Sequence, residues 1–172
     1  SLLSAAIDDQ NFNFYSKTLS GIEQQLPPWK RAVAAVDGNV GEVVGKVYVA
    51  RHFPPEAKTA MLELVNNLIK AYEISIKELD WMGEETKAEA LDKLSKFTPK
   101  IGYPDKWKDY SALEIREDDL VGNMQRSALF VYEEHAKRQR GPVDRTEWGM
   151  TPQTVNAYYS PPLNEIVLRY ER

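Results

Sequence analysis

Apolar residues recur every three or four positions along most of this chain, which is the spacing of one face of an α-helix. The longest such run lies between residues 61 and 79 and consists of Met61, Val65, Leu68, Tyr72, Ile76 and Leu79. It predicts a helix of roughly 25 residues. The helix should begin in the Phe-Pro-Pro-Glu sequence at 53–56, because proline suits the first helical turn. We expect the whole stripe to be buried.

Shorter helices are predicted on both sides of this one from the same spacing and from residues that start or end helices. They cover residues 1–20, 27–36, 40–49, 84–97 and a segment that begins near residue 118. Asp8 or Asp9 is a candidate cap for the first helix, and Gly21 is its expected end. Asp37-Gly38 is expected to separate the second helix from the third.

The last predicted helix is capped by Asp118 or Asp119, because a short carboxylate can accept the free N–H groups of a first helical turn. The sequence Gly141-Pro142 ends it. Its predicted apolar stripe consists of Leu120, Met124, Ala128, Val131 and His135. We expect this stripe to be the packed face of the helix.

Two regions favour β structure, at 99–115 and 154–168. The first is rich in proline, glycine and aromatic residues and predicts a short strand and turn at 100–107, with another extended piece at 110–115. In the second, β-branched and aromatic residues at 155–159 precede Ser-Pro-Pro, and an apolar run follows at 166–168. Since proline cannot donate to a ladder, this pattern predicts a β-hairpin. The fold class is therefore mainly α, with a short β segment and a C-terminal β-hairpin.

The predicted hairpin has a free edge, and a free edge can pair with an extended peptide. The side-chain amide of Asn156 beside it could both donate and accept hydrogen bonds. Most hairpins are purely structural, so this pattern alone leaves both interpretations open.

Composition narrows the function classes. The chain has 172 residues and a net charge of −4, which argues against nucleic acid as a partner, since phosphate binding needs a basic face. It contains no cysteine, so disulfides and thiolate metal sites are excluded. Its histidines, His52 and His135, stand far apart in sequence, and neither has a second histidine at zinc-binding spacing. Its longest apolar run is too short to span a bilayer.

Several ordered motifs resemble those of the neprilysin-like (M13) zinc metallopeptidases. They include Gly-Glu-Val-Val-Gly-Lys at 41–46, Phe-Pro-Pro-Glu-Ala-Lys at 53–58, and Trp-Met with Thr-Lys at 81–87. Further matches are Lys-Ile-Gly-Tyr-Pro-Asp-Lys-Trp at 100–107, Thr-Val-Asn-Ala-Tyr-Tyr at 154–159 and Asn-Glu-Ile-Val at 164–167. Each motif is weak alone, but so many in one order make the resemblance specific.

The resemblance implies a two-lobed zinc endopeptidase that hydrolyses internal bonds of short peptides. Residues 1–117 would belong to the helical lobe that roofs the cleft, and residues 118–172 to the start of the catalytic lobe. In this family the Asn-Ala-aromatic-Tyr strand lies along the substrate. The resemblance therefore makes Asn156 and Ala157 the expected substrate-binding residues, through the asparagine amide and the alanine main chain.

The sequence also departs from the family. The zinc motif His-Glu-x-x-His does not occur, and after residue 167 the family's Phe-Pro-Ala is replaced by Leu-Arg-Tyr-Glu-Arg. We therefore expect zinc in a longer parent enzyme, and no metal site, no catalytic residue and no peptidase activity in this chain alone. The absence of cysteine resembles a bacterial member. The parent would be exported: periplasmic, secreted or anchored outside the cytoplasm.

Two alternatives stay open at this point. The chain could be a non-catalytic helical module that binds a peptide or a protein, or a structural remnant without activity. As part of an enzyme, its partners would be short peptides and the remainder of the catalytic lobe. Without that remainder, we expect the apolar faces of 118–135 and of the hairpin to drive self-association.

Overall fold

The computed structural model describes residues 4–168, and within them the chain is mainly helical with one small sheet. The predicted fold class is thus confirmed. The helices are α1 (Ala5–Asn11), a π-helical segment (Phe12–Thr18), α2 (Pro28–His52), α3 (Pro55–Glu78), α4 (Glu84–Ser95) and α5 (Leu120–Arg138). The strands are β1 (Thr98–Ile101), β2 (Ala157–Ser160) and β3 (Glu165–Leu168). The departure from the family at 169–172 lies outside the described residues.

Helix α2 contains two helical segments that meet at a kink, as the sequence predicted. The predicted position of the break, Asp37-Gly38, is wrong, because both residues are helical and the interruption lies at Val40, whose φ of −135° and ψ of 38° are not helical. On one side of the kink, the carbonyl of Asn39 accepts a hydrogen bond from the Ser127 hydroxyl at 3.3 Å. Polar side chains can satisfy backbone groups that a kink frees, so no loop is needed here.

The chain divides into two compact units, and each is described by itself. Among the described residues, one unit contains 4–40 together with Asp109–Arg140, and the other contains Gly41–Lys108 together with 141–168. These two units are defined within this chain and differ in their bounds from the two predicted lobes. The assignment of 1–117 and 118–172 to two lobes of a longer enzyme stays a prediction.

In the first unit, α1 begins at Ala5 after Ser4, so the predicted cap at Asp8 or Asp9 is wrong. The Asp8 carboxylate instead accepts hydrogen bonds from Arg31 at 2.7 Å and from Gln25 at 3.1 Å. It therefore ties α1 to α2. The predicted end of this N-terminal segment is confirmed, because Gly21 has a left-handed φ of +68° that favours glycine.

Helix α5 is capped by Asp119, whose carboxylate accepts the N–H of Gly122 at 3.0 Å, as predicted. Its buried face, however, contains Ser127 and Phe130 rather than the predicted stripe from Leu120 to His135, both of which are exposed. The prediction of the buried face considered only apolar side chains. The packed face includes a serine that is 2% exposed because its hydroxyl bonds a backbone carbonyl.

In the second unit, α3 extends over 24 residues, close to the predicted length. Its stripe is only partly covered: Val65 is 5% exposed, whereas Leu68 is 50% and Tyr72 63% exposed. The expectation that the whole stripe is buried is wrong. A helical period shows that a helix has an apolar face, but it does not show that the partner of that face lies in the same chain.

The sheet has the order β1-β3-β2, with β3 parallel to β1 and antiparallel to β2. Strands β2 and β3 form the predicted hairpin, which is confirmed. Outside the sheet, in the first unit, the backbone at 110–113 forms a turn in which the N–H of Leu113 donates to the carbonyl of Tyr110. The extended piece that the sequence predicted there is therefore wrong. Central strand β3 contains Val167, which is fully buried.

Candidate peptide-binding site

Strand β2 is an edge of the sheet, because it pairs with β3 on one side and with no other described strand on the other. Both sequence-predicted site residues lie at its beginning. Asn156 immediately precedes the strand and Ala157 is its first residue. Both are exposed. An edge of this kind offers main-chain donors and acceptors to a second extended chain.

The direction of each main-chain group follows from the hydrogen bonds of β3. The carbonyl of Asn164 accepts from the N–H of Thr98 at 3.0 Å, and the carbonyl of Leu168 accepts from the N–H of Gly102 at 2.8 Å. Main-chain groups alternate sides along a strand. Residues 164, 166 and 168 therefore face β1, and Val167 faces β2.

The same alternation decides which groups of β2 are free to meet a partner. Tyr158 is the register partner of Val167, so its N–H and C=O are directed at β3. The neighbouring residues, Ala157 and Tyr159, then direct their main-chain groups away from the sheet. These outward groups are what an added strand would use.

The Asn156 side chain is folded back onto this edge. Its Oδ1 accepts the N–H of Ala157 at 2.7 Å. The Ala157 carbonyl and the Asn156 amide nitrogen have no hydrogen-bond partner among the described residues. The edge therefore presents a carbonyl acceptor and an amide donor side by side, which matches one peptide unit of an extended ligand.

One face of the sheet is held by a buried ion pair. The Lys100 ammonium lies 2.8 Å from the Glu165 carboxylate, with the two side chains 8% and 3% exposed. The same ammonium donates to the Glu147 carbonyl at 2.7 Å, and the N–H of Gly149 donates to the Tyr158 hydroxyl at 3.1 Å. The segment before β2 is thereby fixed to the sheet. Sequence reasoning missed this pair, although both residues lie in motifs that it singled out.

The segment that leads into Asn156 also contacts α2. At Gly45, an added Cβ would come within 2.6 Å of the Cδ of Pro152, so only glycine fits without a shift. The Gln153 amide donates to the carbonyl of Gly41 at 3.0 Å. Gly45 of the motif at 41–46 thus allows close approach of the segment that carries the site. This glycine is visible in the sequence, but the residue that it contacts could not be read from it.

Lys58 joins two other motif segments and has a structural role. Its ammonium donates to the carbonyl of Tyr103 at 3.0 Å and to the carboxylate of Asp105 at 2.7 Å. It also lies 4.3 Å from the centroid of the Tyr103 ring, a cation–π contact. The lysine of the Phe-Pro-Pro-Glu-Ala-Lys motif therefore anchors the loop that follows β1.

The loop before the site begins with an ordered carboxylate. The Thr146 hydroxyl and N–H both bond the Asp144 carboxylate and hold the pKa of Asp144 below its ordinary value of 3.8. Asp144 is exposed, and it stabilises the turn rather than taking up or releasing protons near neutral pH.

Zinc has no set of ligands in this part of the chain. Among residues 4–168, no group of three or more His, Asp or Glu side chains could hold a metal ion. His52 contacts the ring of Tyr48, with ring centroids 5.1 Å apart. The residues present do not fit a zinc centre, and no chemical step through a metal is assigned to them. Likewise, no helix between residues 4 and 168 is long and apolar enough to cross a membrane.

Comparison with known proteins gives a consistent set of similarities. The model of peptidase family M13 matches residues 1–104. An endothelin-converting enzyme homolog of Locusta migratoria is 34% identical over 97% of this chain and 24% of its own length. Neprilysin of Mus musculus is 31% identical over 90% of this chain and 22% of its own length.

A solved structure shows the same similarity in three dimensions. It is the zinc metalloprotease Zmp1 of Mycobacterium tuberculosis in complex with an inhibitor. It is 52% identical, matches 96% of this chain and 25% of its own, and gives a TM-score of 0.88. The chain thus spans about a quarter of the length of the relatives it matches. These relatives come from animals and from a bacterium, so they do not decide the source of this chain.

Proposed function

Because this chain belongs to peptidase family M13, we propose that it forms part of a zinc-dependent endopeptidase that hydrolyses internal bonds of short peptides. Its part in that enzyme is to hold the substrate. The observation that carries the proposal is the free edge of β2, where Ala157 and Tyr159 direct their main-chain groups away from the sheet.

An extended peptide would add to the sheet as a strand beside β2. The Ala157 carbonyl would accept a peptide N–H, and the Asn156 amide nitrogen would donate to a peptide C=O. Such bonds involve the backbone of the ligand, so they tolerate many side chains and suit an enzyme with a broad choice of peptides. The position of the peptide would be fixed by a rigid strand rather than by a mobile loop.

In this proposal, residues 1–117 contribute to the lobe that roofs the cleft and residues 118–172 begin the catalytic lobe. Zinc and its general-base carboxylate come from other residues of a longer protein, since His-Glu-x-x-His is absent from these 172 residues. This chain alone is then inactive. The parent is exported, as a periplasmic, secreted or anchored enzyme of a bacterium.

The longer reading frame tests the proposal. We expect it to encode His-Glu-x-x-His downstream of residue 172, and the longer protein to cleave an internally quenched peptide in a chelator-sensitive way. Asn156→Ala should lower kcat/KM about tenfold, because one hydrogen bond to the bound peptide is lost. Asn67→Ala, an exposed change on α3, is the matched control and should have no effect.

A longer frame without the zinc motif would contradict the proposal. Peptide binding by such a protein would then favour the alternative, a non-catalytic peptide-binding module. Chelator-sensitive cleavage by the purified 172-residue chain would contradict the assignment of catalysis to other residues.

A further inference from the structure

Tyr159 lies at the centre of the free edge, and its side chain is held from several directions. Its hydroxyl donates to the Oδ1 of Asn164 at 3.1 Å. Its ring stacks on Phe97, with centroids 6.2 Å apart and planes 17° from parallel, and the Lys93 ammonium lies 5.9 Å from its centroid. A side chain fixed in this way also fixes the main chain that carries it.

Asn164 is the residue on which these contacts converge. Its φ of +50° is left-handed, a conformation that asparagine tolerates better than most residues. Its Nδ2 donates to the carbonyl of Lys93 near the end of α4, at 2.7 Å, and its own carbonyl accepts from the N–H of Thr98 at the start of β1. One residue therefore bonds α4, β1 and, through Tyr159, the edge strand β2.

The chemistry of asparagine suits all of these tasks together. The turn needs a residue that accepts a positive φ, the Lys93 carbonyl needs a donor, and the Tyr159 hydroxyl needs an acceptor. Aspartate would supply the acceptor without the donor, and glycine would supply the backbone without either. Strand β2 has only four residues and pairs with a described strand on one side only, so such an anchor strongly constrains its geometry.

We propose that Asn164 is a positioning residue for the peptide edge: through Tyr159 it sets the direction of the outward N–H and C=O of β2. This inference rests on the proposed function, in which that edge binds an extended peptide. Asn164 itself touches no substrate in this proposal. Its effect is on affinity, because a misaligned edge loses hydrogen bonds that depend steeply on angle.

The test uses the 172-residue chain and a capped, uncharged, alanine-rich pentapeptide with one central phenylalanine. Peptide affinity is measured by titration, and stability by denaturant unfolding. Asn164→Gly keeps the left-handed backbone and removes the side chain, and Tyr159→Phe keeps the stacked ring and removes the hydroxyl. Tyr158→Phe is the matched control, since the Tyr158 hydroxyl also takes part in one hydrogen bond, as the acceptor, but the Tyr158 main chain faces β3.

We expect Asn164→Gly and Tyr159→Phe each to raise the Kd about fivefold. Combining them should add little, because both remove the same hydrogen bond. Tyr158→Phe should lose as much stability as Tyr159→Phe and leave the Kd unchanged. A merely structural role would make the two tyrosine variants alike in affinity.

The outcomes separate this inference from the function on which it rests. If the unaltered folded chain binds no peptide, the proposed edge function fails, and this inference fails with it. If the unaltered chain binds and Asn164→Gly binds equally well, only the inference is overturned. Equal weakening by Tyr158→Phe and Tyr159→Phe would overturn it as well.

Discussion

The three-stranded sheet and helix α3 lie in the same compact unit, yet they use their side chains differently. In the sheet, Val167 is fully buried and even the charged Lys100 and Glu165 are covered and paired. In α3, Val65 is buried while Tyr72, on the same apolar stripe, is 63% exposed. These side chains of the sheet are covered within this chain, whereas α3 has an apolar surface that no described residue covers. Apolar periodicity therefore indicates the helix but not the place of its partner.

The ion pair offers the strongest way to disturb the sheet. Lys100→Met should lower the free energy of unfolding by about 3–5 kcal/mol, because it leaves the Glu165 carboxylate buried without its partner. Changing both residues, to Met and Leu, should cost much less, since no charge remains buried. Denaturant unfolding of the three proteins measures this. A single variant as stable as the double variant would show that the pair is not the anchor of the sheet.

Helix α3 allows a comparison of a buried and an exposed position within one apolar stripe. Val65→Ala should cost about 2 kcal/mol, because it opens a cavity in the covered part of the helix. Leu68→Ala removes a larger side chain at an exposed position and should change stability by less than about 0.5 kcal/mol. Equal losses at the two positions would mean that the second half of the stripe is also covered in solution, for example by self-association.

The exposed stripe bears on association of the isolated chain, which stays a prediction. Leu68 and Tyr72 on α3, and Leu129 and Tyr132 on α5, are each at least half exposed. Apolar surface of this kind favours contact with another chain. Light scattering over a range of concentrations measures it, and a clean monomer at high concentration would count against the expectation.

Two glycines of α2 form a matched pair whose substitutions should have small effects of opposite sign. Gly45→Ala should cost about 1–2 kcal/mol, because the added methyl group would meet Pro152. Gly38→Ala meets no atom within 4 Å and should stabilise the helix by about 0.5–1 kcal/mol. Thermal unfolding of the two variants checks the opposite signs. Stabilisation by both would show that the segment before Asn156 does not lie against α2.

Local signals predicted local structure well. Proline starts, glycine ends and apolar spacing indicated α3, α4 and the hairpin, because these depend on neighbours in sequence. The parallel pairing of β1 with β3 was not predictable in the same way, since no turn joins the two strands. The packed face of α5 was missed because Ser127 is buried by a hydrogen bond, which a search for apolar residues does not detect.

The candidate site also combines features that have a local sequence signal with features that have none. Asn156 and Ala157 were singled out from a resemblance, and the structure places them beside a free edge, while their role as peptide contacts stays a proposal. Asn164 was overlooked as a functional residue, although an asparagine directly before a strand is a signal for a left-handed turn. Its contact with the Lys93 carbonyl joins residues far apart in sequence and had no local sign.

Amide hydrogen exchange of the 172-residue chain, followed by NMR with and without the capped pentapeptide, tests the central claim most directly. If the peptide adds as a strand beside β2, the amide of Tyr159 gains protection, whereas that of Tyr158, already directed at β3, does not change. Protection that appears at both amides alike, or at neither while the peptide is bound, would contradict the account.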